Sequence, residues 1–543
     1  MKPATLALAT AATAALSSFF LLPSSFCSGA EPPAPRPNIV YFLIDDMGFA
    51  DCGFNGGTQI KTPNIDALSK KGVILENYYV QPLCSATRCT LMTGRTPNHH
   101  GVYGALKPES RYGLPLDERI LPQLLKTAGY TSAIVGKWHC GDYKPEYLPM
   151  HRGWDHQYGV WYGQLDYFTH KSGGREDWYR DDKPLHENGY TTFLIANEAI
   201  RLIKLHAATV GAAAPGNAGV PPADEGRPDP RPDRRQGAPA TLAGAAAPTV
   251  NRKPKTVNSV DDGGSATVAS AAPPLFLYVP FNAVHGPFED PPEYEKPYAA
   301  LKPTRRTYAG MLAAADEAIG QIYAALVETG MADNTLIIFS SDNGGVQPGD
   351  RADNTPLRDG KGSIYEGGLR SCAFVIWPNH IAPNTRATPP VQLADWYPTL
   401  AALTGADISP AVQKKKLDGQ NILPLLLEGK APDRDALLIV GVSNLRYILR
   451  QGDWKLLVNP SGPSHAARHV DPDDQDDTEV ITTEHLELYN LATDIGEQHD
   501  LATTYPDRVK QMFALSRTLI RDAVPPLAAT TTPAPKSTKT KKK

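Results

Sequence analysis

The chain has little of what marks several protein classes. It lacks an excess of charge of either sign, because 54 Lys and Arg stand against 58 Asp and Glu, a formal net charge of -4 over 543 residues. With an isoelectric point near 6.4, it has no basic surplus of the kind that nucleic-acid binding requires, and no nucleic-acid partner is expected. Past the N-terminus no apolar run approaches the ~20 residues of a membrane span, and the mean hydropathy of -0.33 fits that. Cysteine is scarce, six in all, with neither the density of a disulfide framework nor the CxxC spacing of a zinc site. There is no Walker loop and no GxSxG elbow. What remains is a chain long enough for roughly three domain-sized units and at least one large core, with the composition of a soluble enzyme.

The first 30 residues have the pattern of an export signal. Lys2 supplies a positive start, residues 5–22 are apolar or small, and Ser28-Gly29-Ala30 ends in a small-residue cleavage pattern. The segment is weakly hydrophobic and lacks a basic stop, which favours a cleaved leader over an anchor. Phe26 before Cys27 is too bulky for a lipid-anchored start. The expectation is an exported protein, periplasmic or secreted, with no membrane contact after cleavage. Five cysteines then remain, Cys52, Cys84, Cys89, Cys140 and Cys372, so at least one has no intramolecular partner.

From residue 37 the pattern alternates strand and helix. Asn38–Ile44, Leu275–Pro280 and residues 335–340 are short apolar runs suited to buried strands, and 131–136 is another. Helical patterns cover 62–71, 121–128, 191–206 and 308–329, the first opening on Thr62-Pro63 and stopping at Gly72. Such alternation predicts an α/β domain with a mostly parallel sheet, assigned to residues 31–433. Residues 207–274 interrupt it: 68 residues with 17 Ala, 11 Pro and no Phe, Tyr or Trp. That composition buries too little apolar surface to offset its ordering entropy, so a disordered insertion within the domain is predicted. Short strands at 437–442, 446–449, 454–457 and 486–491, then a helix over 507–522, predict a smaller C-terminal α+β subdomain spanning 434–527. Residues 528–543 form a basic Thr/Pro/Lys-rich tail.

Several strand candidates run into chemistry-bearing residues. Asn38–Ile44 is followed by Asp45 and Asp46, 335–340 by Asp342 and Asn343, and Leu275–Pro280 runs on towards His285. Ligands bind beyond the carboxyl ends of strands in open parallel sheets, and these side chains offer oxygen donors suited to a hard divalent cation. Taken singly, each is as ordinary as a turn or a helix cap. Residues 84–95, CSATRCTLMTGR, read as a helix beginning at about Ser85. Cys84 then sits at an N-terminus that favours negative charge, and Arg88 lies one turn on along the same side. Lys137 and His139 in Gly136-Lys137-Trp138-His139 share a face in extended chain, and Lys361 lies in a Gly-flanked loop. Jointly, one hard metal, an arginine, two lysines and two histidines suit an anionic ester, a sulfate or a phosphate.

These residues resemble the type I sulfatases. The run CSATRCTLMTGR is similar to the family signature, a Cys-x-Pro/Ala-x-Arg core followed by Thr-Gly-Arg. Ile44-Asp45-Asp46, Gly136-Lys137-Trp138-His139, Val284-His285-Gly286-Pro287, Ser341-Asp342-Asn343-Gly344-Gly345 and ELYNLATDIGEQHDL (487–501) match in order. The resemblance covers about residues 37–501 apart from the insertion. Residues 77–84, 116–129, 146–168 and 366–370 look most like the N-acetylgalactosamine-4-sulfatase (arylsulfatase B) branch. It implies an alkaline-phosphatase-like α/β sandwich with a large, mostly parallel central sheet flanked by helices.

For the site, the resemblance implies that Cys84 is converted by a formylglycine-generating or radical-type maturation enzyme to Cα-formylglycine. One oxygen of the hydrated aldehyde attacks sulfur, and the sulfated enzyme collapses after loss of the second proton. Ca²⁺, one per chain, is implied at Asp45, Asp46, Asp342 and Asn343 against residue 84. Arg88 and Lys137 would hold the diol, His139 take its proton, and His285 and Lys361 bind sulfate and protonate the leaving oxygen. The implied substrate is a sulfated saccharide, a 4-O-sulfate on a galacto-configured sugar. A phosphodiesterase or phosphonate hydrolase of the same superfamily is the nearest alternative, and a catalytically dead carbohydrate-binding relative a further one. Two departures stand out: Ala86 in place of the common proline, and Cys89 as an extra thiol near the nucleophile.

Overall fold

The computed structural model describes residues 36–108, 110–213, 272–347, 351–460 and 484–527. The expected leader, the basic tail and residues 214–271 of the expected insertion lie outside them.

The Asn38–Ile44 strand is the centre of the molecule and shows why the sheet forms. All seven residues are buried, and their side chains alternate between two cores. Val40, Phe42 and Ile44 enter one cluster; Ile39, Tyr41 and Leu43 enter the other. A strand with both faces covered reads as a continuous apolar run rather than an alternating one. Leu275–Pro280 and Thr335–Ser341 flank it, both parallel to it and both fully buried. Thr131–Val135 and His156–Gly159 extend the parallel core.

The complete sheet has ten strands. On one side lie Ala373–Ile376, antiparallel to Thr335–Ser341, then Val73–Leu75 and Thr385–Ala387. On the other side, beyond His156–Gly159, lie the two-residue strands Tyr179–Arg180 and Lys183–Pro184. The sheet is therefore mixed, with a parallel core of five strands. Helices Thr191–Ala213, Pro303–Glu328 and Pro63–Ser69 contribute to the first core. Helices Cys84–Thr93, Leu121–Thr127 and Trp396–Thr404 contribute to the second.

Two helices outrun their sequence patterns. The one expected over 191–206 continues to Ala213, seven residues into the range read as disordered, because alanine sustains a helix even without a core to pack on. The one expected from 308 begins at Pro303, a residue suited to a first helical turn. At the C-terminus Leu437–Val440, Tyr447–Gln451, Trp454–Val458 and Leu486–Asn490 form a separate antiparallel sheet. One of its faces packs with Met512 of the Pro506–Leu519 helix. The other packs on Tyr79, Ile364, Tyr365 and Leu369. No helix among the described residues is long and apolar enough to cross a membrane.

Candidate active site

The parallel core gathers the chemistry at one edge. Ile44 pairs with Ser341, so Asp45 and Asp342 leave neighbouring strands side by side. Backbone bonds continue past the strand ends: Asp342 N–H donates to Ile44 O (3.0 Å), Asp45 N–H to Ala283 O (2.9 Å) and Lys137 N–H to Pro280 O (2.7 Å). Four loops that are remote in sequence are thus tied at their first residues.

The Cys84–Thr93 helix approaches from the second core. Leu83 is extended (φ -137°), so Cys84 is itself the first helical residue, one position before the expected start. All ten residues of the helix are buried. Arg88, one turn on, donates from Nη2 (2.8 Å) and Nε (3.2 Å) to Asp342 Oδ2, and from Nη1 to the Lys137 carbonyl (3.0 Å). Its Nη2 also lies 3.4 Å from Asp45 Oδ2. Burial alone would lower the Arg88 pKa, but the Asp342 and Asp45 carboxylates outweigh it and raise the value, with a smaller contribution from Cys84. The guanidinium is therefore permanently charged and fixed in orientation.

The remaining groups interlock. Lys137 Nζ donates to Asp45 Oδ2. Lys361 Nζ donates to Asp46 Oδ2 (3.1 Å) and lies 3.1 Å from His285 Nε2. Asn343 Nδ2 donates to Asp46 Oδ1 (2.6 Å), and Asp46 N–H donates to Asp342 Oδ1 (3.2 Å). Three buried carboxylates thus face three buried cations, and a divalent cation added among them would leave net positive charge to meet an anionic ester. The His285 Nδ1–H donates to Gly286 O (2.7 Å), directing Nε2 at Lys361 and Asp46. Burial and Lys361 pull the His285 pKa down, Asp46 and Asp45 push it up, and the net value is raised.

Whether a hard cation fits is answered by the oxygens left over. Asp45 Oδ1 and Asn343 Oδ1 are fully buried and accept no hydrogen bond from the described residues. An orphaned buried acceptor costs about 1–3 kcal/mol, and a cation removes that cost. Ligand atoms of Asp45, Asp46 and His285 also lie within 4.8 Å of one another. Both oxygens of Asp342 are engaged, one by Asp46 N–H and the other by Arg88. The donor set fits Ca²⁺ or a similar ion.

His139 reaches the site differently from the period-2 expectation. Its φ of 53° takes it out of extended backbone, so alternation with Lys137 does not apply. Its Nε2–H instead donates to Leu106 O (2.9 Å), while Leu106 N–H donates to Ser85 Oγ (3.0 Å). The backbone of one residue, Leu106, thus links the imidazole to the first turn of the Cys84 helix. The Leu106 bond places the proton on Nε2, which leaves the lone pair of the neutral ring on Nδ1. Asp46 shares the left-handed conformation at φ 59°. Such outliers cluster at functional sites.

Three supporting residues carry no sequence signal. Tyr167 Oη donates to Asn282 O (2.6 Å) and His285 O (2.9 Å), fixing the His285 turn. Asn282 is 2% exposed, and neither its amide oxygen nor its nitrogen has a hydrogen-bond partner among the described residues. A Cβ on Gly163 would lie 2.5 Å from His139 Cε1, so only glycine leaves room for that ring. All three sit in loops, where no periodicity marks them.

Known proteins resemble this chain in sequence and in fold. Residues 37–406 match the sulfatase family model. Arylsulfatase J of Mus musculus is 31% identical over 526 residues, covering 90% of this chain and 77% of its own. N-acetylgalactosamine-6-sulfatase of Mus musculus is 29% identical over 527 residues, covering 94% and 89%. Among solved structures, Ps i-CgsB in complex with k-i-k-neocarrahexaose aligns with a TM-score of 0.70 at 28% identity, covering 91% and 94%. The architecture is the alkaline-phosphatase-like sandwich of these enzymes, and the reaction class is sulfate-ester hydrolysis. By its sequence match and its fold, the chain belongs to the sulfatase family.

Proposed function

We propose that this chain is an exported sulfatase of sulfated saccharides. In this reading it removes a 4-O-sulfate from a galacto-configured sugar, N-acetylgalactosamine 4-sulfate or a sulfated galactan. The observation that carries the reading is Cys84 at the first position of a buried helix, with Arg88 one turn on and locked by Asp342. A thiol there has no route to release sulfate after attack. The hydrated aldehyde of formylglycine has one, because its second hydroxyl can lose a proton and expel the sulfate. Maturation by a formylglycine-generating or radical-type enzyme is therefore part of the proposal.

The remaining roles follow from charge and proton placement. Arg88 and Lys137 hold the nucleophilic oxygen of residue 84 in its anionic form. His139, with Nε2–H committed to Leu106 O, takes the second proton at Nδ1. His285 and Lys361, 3.1 Å apart, bind the sulfate oxygens and give a proton to the departing sugar oxygen. Asp45, Asp46, Asp342 and Asn343 would hold Ca²⁺, which supplies positive charge that acidifies the attacking hydroxyl and stabilises negative charge on the sulfate.

Substrate choice draws on two neighbours. Ps i-CgsB was solved with a neocarrahexaose, and the murine relative is a 6-sulfatase of N-acetylgalactosamine. The test is sulfate release from a panel of saccharides sulfated at defined positions, with 4-nitrophenyl sulfate and a phosphate diester alongside. Preferential turnover of 4-O-sulfated galacto sugars supports the proposal; 6-O preference moves the position, and diester preference replaces the sulfatase reading. Cys84→Ala should lower turnover by about 10⁴-fold or more with unchanged circular dichroism. Retained activity in that variant would remove residue 84 from the chemistry.

A further inference from the structure

His139 is held from two sides, and the Leu106 bond is only one of them. On the other side the parallel pairing of Thr131–Val135 with His156–Gly159 runs on past both strand ends. Trp138 N–H donates to Val160 O (3.0 Å) and His139 N–H to Trp161 O (3.0 Å). The Tyr162 ring stands edge-on to the imidazole, with centroids 5.6 Å apart and planes at 77°. Gly163 then comes so close that a Cβ would meet the ring. Residues 161–163 therefore form one wall of the His139 pocket.

A single carboxylate fixes that wall. Trp161 N–H donates to Asp177 Oδ1 (3.2 Å) and Tyr162 N–H to Asp177 Oδ2 (3.1 Å). Each oxygen thus takes one of two consecutive peptide donors, and such charge-assisted bonds are roughly twice as strong as neutral ones. Asp177 is anchored in turn. Its N–H donates to His170 O (3.3 Å), and the Trp178 ring stacks on the His170 ring at 5.0 Å. Two residues on, the Tyr179 ring lies flat on the Trp161 ring at 3.5 Å and 4°. Asp177 is 5% exposed. Burial pushes its carboxyl up to about 7 against the pull of the two N–H bonds, with Asp142 adding to the rise and Arg175 opposing it. Keeping a carboxylate there costs free energy, and what it secures is the placement of this wall.

We propose that Asp177 is a positioning residue for the second half of the reaction, clamping the 161–163 wall so that His139 meets the second hydroxyl of residue 84. This rests on the reading of His139 as the group that takes that proton. In that step the O–H bond electrons form the carbonyl, the C–O bond to the sulfate breaks, and sulfate leaves with its electron pair. The proton passes to His139. The first step, attack on sulfur and departure of the sugar oxygen, draws on Arg88, Lys137, His285 and Lys361, and Asp177 bonds to none of their side chains in the contacts above. Loss of the clamp should therefore slow sulfate release and spare release of the alcohol.

The test separates the two steps. Matured full-length wild type, Asp177→Asn and His139→Ala are mixed with excess 4-nitrophenyl sulfate at a pH above the Asp177 value, each normalised to its formylglycine content. Asp177→Asn keeps the shape but turns an amide N–H₂ on one of the two peptide N–H groups. Its expected trace is a stoichiometric burst of 4-nitrophenol, then a steady phase slowed by about 10-fold to 10²-fold. The quenched peptide containing residue 84 should carry the added mass of one sulfo group. His139→Ala should show the same burst. A burst in His139→Ala without one in Asp177→Asn would overturn the clamp and leave His139 its role. No burst in either would overturn the clamp together with the reading of His139. Asp177→Ser, which removes the charge without adding bulk, repeats the comparison. A clamp on one loop leaves both cores intact, so loss of the circular dichroism signal in both Asp177 variants would also overturn the proposal.

Discussion

Single atoms decide how much of this site can change. A Cβ on Gly163 would lie 2.5 Å from Cε1 and 2.6 Å from Nε2 of His139, so Gly163→Ala must turn the ring off its Leu106 bond. Misplacing a reacting group by about 1 Å costs roughly 10²-fold. We expect kcat to fall by about that factor with little change in KM or melting temperature, read by steady-state kinetics and calorimetry. Equal kcat in the variant would show that the ring position is unimportant. Asp45 Oδ1 and Asn343 Oδ1, both buried without a partner among the described residues, predict a second outcome. Added Ca²⁺ should raise the melting temperature in proportion to the logarithm of its concentration once the site saturates. EGTA should reverse the shift, and Asn343→Leu, which lacks the oxygen, should blunt it.

Among the elements, the Thr191–Ala213 helix shows how a charge cluster can substitute for an apolar contact. Glu198 accepts from His156 Nε2 (2.8 Å), Arg180 Nη2 (2.9 Å) and Arg201 Nη2 (2.7 Å), tying the helix to the sheet edge. Burial would raise the Glu198 pKa, but the hydrogen bonds from His156 and Arg201 and the charges of Arg201 and Arg180 lower it to about 2. A carboxylate with a depressed folded-state pKa stabilises the fold above its unfolded value and loses that contribution as pH falls through the folded one. The loss should therefore run from about pH 4.5 down to about pH 2. Glu198→Gln should cost about 1–2 kcal/mol at neutral pH, after allowance for solvent screening of the partly exposed cluster. Its stability should then change less than the wild type's across that acid interval. Urea denaturation at pH 7, 4 and 2.5 checks both.

Across the molecule, one buried ion triad joins the C-terminal sheet to the loops of the site. Lys455 Nζ lies 2.9 Å from Glu366 Oε1 and 2.8 Å from Glu497 Oε1, with all three side chains fully buried. Glu366 N–H donates to Glu497 Oε2 (2.6 Å), and Tyr79 Oη donates to Glu366 Oε2 (2.8 Å). Burial pushes Glu497 up, whereas Lys455, with Arg370 and Arg450, overcomes burial and keeps Glu366 down. Glu366 stands five residues from Lys361, whose N–H donates to Gly345 O (3.1 Å) beside Asn343. Lys455→Met leaves two carboxylates sharing no lysine and should destabilise the protein by about 3–5 kcal/mol. Adding Glu497→Gln should restore part of that by removing one charge, which a double-mutant cycle in urea would read.

Much of the site was legible in one dimension because its residues sit where strands end. A buried parallel strand needs an unbroken apolar run, and whatever polar residues follow it must emerge at the carboxyl edge. Asp45, Asp46, Asp342 and the approach to His285 were visible for that reason, as was the Cys84 helix with Arg88 one turn on. The alternation of strand and helix likewise fixed the class of fold. Only tertiary packing decided which groups touch. It drew His285 onto Lys361 and Asp46, tied His139 to Leu106 through a left-handed backbone, and reserved space at Gly163. These contacts link residues tens to hundreds of positions apart. Local propensity and periodicity act over a few residues, whereas long-range pairings exist only once the sheet has set its register.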